Sequence, residues 1–141
     1  MGTVVAAGKV RKMVTQLEDP VEYAMPLGEE RVAINPYLGR ELHLRYEGVI
    51  NCIHCDRKTS KSFSQGYCYP CFKRLAQCDS CIVSPEKCHY AAGTCREPEW
   101  GDEHCMIDHY VYLANTSGLK VGITRGTQVP TRWMDQGATQ A

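Results

Sequence analysis

Along the first fifty residues, apolar and β-branched positions fall in short runs, at 3–7, 12–17, 21–27, 31–34 and 42–50. No stripe of helical period and useful length interrupts them. Turn chemistry separates most of the runs: Glu18-Asp19-Pro20, Gly28-Glu29-Glu30 and Asn35-Pro36-Tyr37-Leu38-Gly39. Leu42-His43-Leu44-Arg45-Tyr46 alternates apolar and polar positions, as a half-buried strand does. A small β-rich module is predicted over residues 1–51.

Past residue 108 the β pattern returns. His109-Tyr110-Val111-Tyr112-Leu113-Ala114 and Leu119-Lys120-Val121-Gly122-Ile123-Thr124 flank Asn115-Thr116-Ser117-Gly118. Two short β runs around a glycine-containing turn predict a hairpin. After Gly126 and Pro130, Thr131-Arg132-Trp133-Met134-Asp135-Gln136 can begin a helix, with Gly137 as its stop. The fold class is α+β and mainly β, with a β-rich module at 1–51, a cysteine-rich module at 52–105 and a hairpin plus short helix at 106–141.

The middle segment holds all nine cysteines, and three pairs have the spacing Cys-x-x-Cys: Cys52/Cys55, Cys68/Cys71 and Cys78/Cys81. A two-residue gap places both sulfurs on one tight turn, which suits a tetrahedral metal better than a disulfide between loops. Cys52, Cys55, Cys68 and Cys71 match the four-thiolate zinc pattern of ribbon and treble-clef modules, although an iron–sulfur cluster can use the same thiolates. A second zinc is expected on Cys78, Cys81, Cys88 and Cys95, with Cys105 or His89 as replacements for the last ligands. His54 lies inside the first pair and is read as solvent-facing.

Composition reinforces the need for metal. The chain has 141 residues but only two Phe and two Trp. So thin an apolar core needs a staple. No apolar stretch approaches the 18 residues of a membrane span, and the amino terminus lacks a basic-then-apolar signal. The expected setting is therefore the reducing cytoplasm, with no membrane partner.

Formal charge is zero, from 16 basic and 16 acidic residues. Two four-thiolate zinc sites would take it to about −4, because each carries about −2. A globally basic nucleic-acid binder is excluded. Charge is polarised, however: Arg57, Lys58, Lys61, Lys73 and Arg74 occur with no acid between 57 and 77. Phe63, Tyr67, Tyr69 and Phe72 are interleaved with them. Cations neutralise phosphates and exposed rings stack on bases, so this stretch is the candidate surface for nucleic acid or a nucleoprotein. Alternatively, the rings pack on the metal turns and the zinc module is an adaptor for a protein partner.

Two resemblances follow. The hairpin and the arginine after it resemble the start of a GIY-YIG nuclease domain. Tyr112 matches the tyrosine of the first motif, Val121-Gly122 the end of the second and Arg132 the helical arginine. The resemblance implies a catalytic role for Tyr112 in positioning water and for Arg132 in stabilising phosphate charge. Lys120 stands where the second motif has tyrosine, and the family's metal-binding glutamate lies later in the domain, so cleavage would require a completing segment. The longer pattern joins the cysteine pairs to Pro85-Glu86-Lys87-Cys88-His89, Gly93-Thr94-Cys95-Arg96 and Leu119-Lys120-Val121-Gly122-Ile123-Thr124-Arg125. It resembles an uncharacterised bacterial family, domain of unknown function 2797. That resemblance implies metal binding, a bacterial cytoplasm and a longer protein of which this chain is an amino-terminal part.

Overall fold

The computed structural model describes residues 2–141. It is α+β and mainly β, with three antiparallel sheets and three short α-helices among the described residues. Two compact units divide the chain. Residues up to 44 join residues 108–141 in one, and residues 45–107 form the other. No helix is long and apolar enough to cross a membrane.

In the first unit, strands β1 (Val14–Gln16), β2 (Glu22–Leu27) and β3 (Glu30–Ala33) form an antiparallel meander in that order. Gly28 has φ +59° in the two-residue turn between β2 and β3, a conformation that costs glycine little. The Asn-Pro breaker ends the sheet with a specific contact. Asn35 Oδ1 accepts from Tyr23 N at 2.8 Å, and its Nδ2 donates to Val21 O at 2.9 Å. Residues 3–7 and 42–46, expected as strands, are irregular. An alternating pattern becomes a strand only where a neighbour takes its backbone hydrogen bonds, and Leu44 and Tyr46 stay largely exposed.

The predicted hairpin is β6 (His109–Asn115) and β7 (Leu119–Arg125), and the predicted helix is α3 (Thr131–Asp135). One face of the hairpin supplies the buried Tyr112, Ala114 and Thr124, to which α3 adds Met134. Its other face leaves Val111, Leu113, Val121 and Ile123 exposed. Helix α3 packs on β1, and Tyr23 Oη donates to Met134 O at 2.8 Å, so both ends of the chain build this unit.

Tyr112 and Gly122 face each other across β6 and β7. A Cβ at Gly122 would lie 2.5 Å from the Tyr112 ring and hydroxyl. The ring cannot swing aside freely, because its hydroxyl donates to Gln136 Oε1 at 2.9 Å and its edge meets Trp133. Gly122→Ala is expected to destabilise this unit by about 1–3 kcal/mol, the usual cost of overpacking. The check is the denaturation midpoint; a midpoint equal to wild type would refute it.

The second unit holds β4 (Ile50–Asn51), β5 (Lys58–Thr59), α1 (Tyr69–Arg74) and α2 (Pro98–His104), linked by short 3-10 turns. Its buried cluster is Cys52, Cys68, Cys71, Leu75 and Cys78, against which Tyr67 and Phe72 pack. Four cysteines and one leucine make a very small hydrophobic core.

Candidate metal centre

Two local structures carry the first four cysteines. Strand β4 delivers Cys52 into a tight turn, in which Cys52 N donates to Arg57 O at 2.8 Å and Asp56 N to Cys52 O at 2.9 Å. Within it His54 N points at Cys52 Sγ, 3.4 Å away. Asn51 Nδ2 closes the turn on Asp56 O at 2.8 Å. The second pair sits at the start of α1, with Cys68 as the N-cap residue and Cys71 inside the first turn. Pro70 favours that start, since its missing N–H would have no helical partner there. A spacing of three on one helical turn puts both sulfurs on the same side.

The four sulfurs of Cys52, Cys55, Cys68 and Cys71 lie within 4.8 Å of one another, and those of Cys55 and Cys68 are 3.7 Å apart. Zinc–sulfur bonds of about 2.3 Å in a tetrahedron require sulfurs about 3.8 Å apart. The residues fit such an ion. Cys52, Cys68 and Cys71 are at most 3% exposed, so the site is shielded on most sides. Electrostatics also favour a cation. Burial raises the Cys52 thiol pKa, but the backbone N–H groups of Cys55, Cys68 and His54 outweigh it and lower it to about 6. Burial, then hydrogen bonding with Cys68, Cys55 and Cys52, pushes Cys71 up to about 12. Four adjacent sulfurs cannot all ionise unaided; a divalent cation permits it. This cluster can hold a metal ion.

The remaining cysteines are arranged differently. Cys78 packs into the buried cluster beside Cys52, Cys68 and Cys71. Cys81 instead converges with Asp79 and His89, their ligand atoms within 4.8 Å of one another, and this trio can also hold a metal. Cys88 is exposed, whereas Cys95 and Cys105 are half-buried. Asp79 Oδ2 lies 2.9 Å from His89 Nε2 and 3.2 Å from Arg96 Nε, and His89 Nδ1 lies 2.7 Å from Thr94 Oγ1. The hydrogen bond from His89, with Arg96 adding to it and burial opposing both, holds the Asp79 carboxyl below its ordinary range. Burial, then Asp79, Cys88 and Cys105, pushes the Cys81 thiol up.

Sequence reasoning missed Asp79, Arg96 and Glu97. Arg96 Nη1 donates to Phe72 O at 2.9 Å and Leu75 O at 3.2 Å, and Glu97 Oε2 accepts from Ala76 N at 2.7 Å. The only signal available was an adjacent pair of opposite charges after Cys95, which by itself reads as solvated surface.

The basic residues Arg57, Lys58, Lys61, Lys73 and Arg74 are all exposed. Among the interleaved rings, Tyr67 belongs to the interior: it packs on the cysteine cluster and its hydroxyl accepts from Gln77 Nε2 at 3.0 Å. Phe63 stacks on Phe72 at 5.6 Å and meets Tyr69 edge-on at 5.4 Å. Tyr69 is 54% exposed. In the other unit, Tyr112 is 8% exposed with its hydroxyl engaged by Gln136, and Arg132 is exposed on α3.

The model of one family, described as a protein of unknown function, matches residues 39–141, a span that includes every cysteine. No curated protein and no solved structure matches the chain.

Proposed function

The chain belongs to the DUF2797 family, whose description assigns no activity, and from its own chemistry we propose that it is a cytoplasmic zinc protein that binds nucleic acid or a nucleoprotein through the basic face of its metal unit. One observation carries this reading: five exposed cations share the segment 57–74 with the cluster of Phe63, Tyr69 and Phe72. Helix α1 supplies both kinds of group, with Tyr69 in its first turn and Lys73 and Arg74 in its last. Backbone phosphates would meet the cations and an unpaired base would stack on Tyr69. Zinc at Cys52, Cys55, Cys68 and Cys71 would hold the face in shape, and a second zinc would sit further along the unit. Four thiolates in a tetrahedron suit zinc, and a site that needs thiolates suits a reducing compartment.

Fluorescence anisotropy with single-stranded RNA and DNA oligonucleotides at low salt tests the reading. Wild type should bind, and Lys73→Gln with Arg74→Gln should weaken binding and lower the slope of log affinity against log salt by about 1–2. Tyr69→Ala should cost about 1–3 kcal/mol if a base stacks on the ring. Absence of binding at low salt would overturn the proposal.

A protein partner is the second reading, favoured by the exposed apolar face of Val111, Leu113, Val121 and Ile123. Salt-insensitive binding to a protein, without affinity for either nucleic acid, would support it. The nuclease reading gains nothing from Tyr112, whose buried hydroxyl is already donated to Gln136.

A further inference from the structure

The second unit encloses another small space. A cavity of about 20 Å³ is lined by Cys81, Cys88, Cys95 and Cys105, with Asp79 and His89 also on its wall. It has room for one water-sized body. Four soft ligands around a one-atom space match a tetrahedral, thiophilic divalent cation. We infer that Cys81, Cys88, Cys95 and Cys105 form a second four-thiolate metal centre that takes an ion of the zinc class. This inference does not depend on the nucleic-acid reading.

Each ligand arrives from a different local structure. Cys81 lies in the 3-10 turn Ser80–Ile82, and Cys88 caps the turn Pro85–Lys87. Helix α2 serves the other two. A Cβ on its buried Gly101 would stand 3.4 Å from Cys95 Sγ, so the bare glycine gives that sulfur its place against the helix. Cys105 follows at the helix end, its N–H donating to Gly101 O at 2.8 Å. The four sulfurs are not drawn within the 4.8 Å span of the first cluster. An ion bound there requires these side chains to turn inward to the tetrahedral spacing of about 3.8 Å. Binding would release one proton from each thiol that enters as thiolate.

The rival donors are otherwise employed. Cys78 is committed to the buried cluster of the first centre. Asp79 and His89 are 2.9 Å apart, a hydrogen-bond separation. Both His89 nitrogens already have partners, and Asp79 also holds Arg96. Arg96, held by Asp79, also lines the cavity.

Cadmium-113 NMR on the full chain decides the ligand set. Two cadmium signals are expected, one coupled to the β-protons of Cys52, Cys55, Cys68 and Cys71, the other to those of Cys81, Cys88, Cys95 and Cys105. A missing second signal, or its coupling to Cys78 or the His89 ring, would overturn the inference. Loss of the first signal alone would count against the first centre only, and nucleic-acid binding enters neither readout. Zinc content gives an independent check. Cys105→Ser should halve the metal per chain and Cys78→Ser should leave it unchanged; full metal in folded Cys105→Ser protein would overturn the assignment. If a variant fails to fold, the spectrum of wild type still decides.

Discussion

Stripping metal from the Cys52, Cys55, Cys68 and Cys71 centre with a strong chelator is expected to unfold residues 45–107. The buried cluster there is four cysteines and Leu75, three of the cysteines belonging to the centre itself. Without an ion those sulfurs keep only weak hydrogen bonds to one another and to nearby N–H groups. The local elements cannot compensate. Helix α1 has six residues, well below the ~12–15 at which an isolated helix becomes even marginal, and β4 and β5 have only two each. Structural zinc contributes about 10–16 kcal/mol of binding energy near neutral pH, comparable to the whole stability of a small domain, about 5–15 kcal/mol. Amide exchange of the chelated protein should show protection lost at Phe72 and Leu75, which donate to Cys68 O and Cys71 O. Zinc should restore it and magnesium should not. Unchanged protection at those amides, with metal shown to be absent, would refute the expectation. Cys68→Ser should reproduce the loss without a chelator.

The second large effect is expected at Arg96. Its guanidinium reaches the carbonyls of Phe72 and Leu75, and the carboxylate of Asp79. Carbonyls at a helix end have no helical donors, and a cation placed there also complements the helix dipole. With Glu97 on Ala76 N, the contact fastens the end of α1 to residues that follow more than twenty positions later. Arg96→Ala should cost the metal-loaded unit about 2–4 kcal/mol, since hydrogen bonds from a charged donor each contribute about 1.5–3 kcal/mol and two carbonyls lose theirs together. Arg96→Lys should recover only part, because one ammonium lacks the planar fork that serves several acceptors at once. Urea denaturation with metal kept saturated measures both. A midpoint unmoved by Arg96→Ala would show that water replaces the guanidinium without loss.

What could be read from the chain was local. The hairpin at β6 and β7, the meander of β1 to β3 and the two turns of the first centre each depend on residues within a few positions of one another, where pattern and turn chemistry act directly. Leu42 to Tyr46 has the same alternation as a strand yet lacks one, because pairing requires a neighbour that no single run encodes. The second set of cysteines is less legible for a related reason. Spacing made Cys78 a natural partner of Cys81, but Ala76–Cys78 and Ser80–Ile82 are separate turns, and the first sends its sulfur into a different interior from the second. Cys105 lies ten residues beyond Cys95, and only α2 makes them neighbours of one cavity. Arg96 was hidden more thoroughly, since its acceptors are backbone carbonyls, which have no signature in side-chain sequence.

The division of the chain has a consequence for its biosynthesis. Strands β1 to β3 leave the ribosome early, but α3, whose Met134 carbonyl receives the Tyr23 hydroxyl, follows only after the cysteine-rich unit. The cysteine-rich unit between them is contiguous and so is complete first. At about 5–20 residues per second, translation needs several seconds to cross it. Metal taken up during that interval would turn residues 45–107 into a compact link, which would lower the entropic cost of bringing the two distant strand sets together. Metal loading of the nascent middle would thereby influence how readily a unit that holds no cysteine can close.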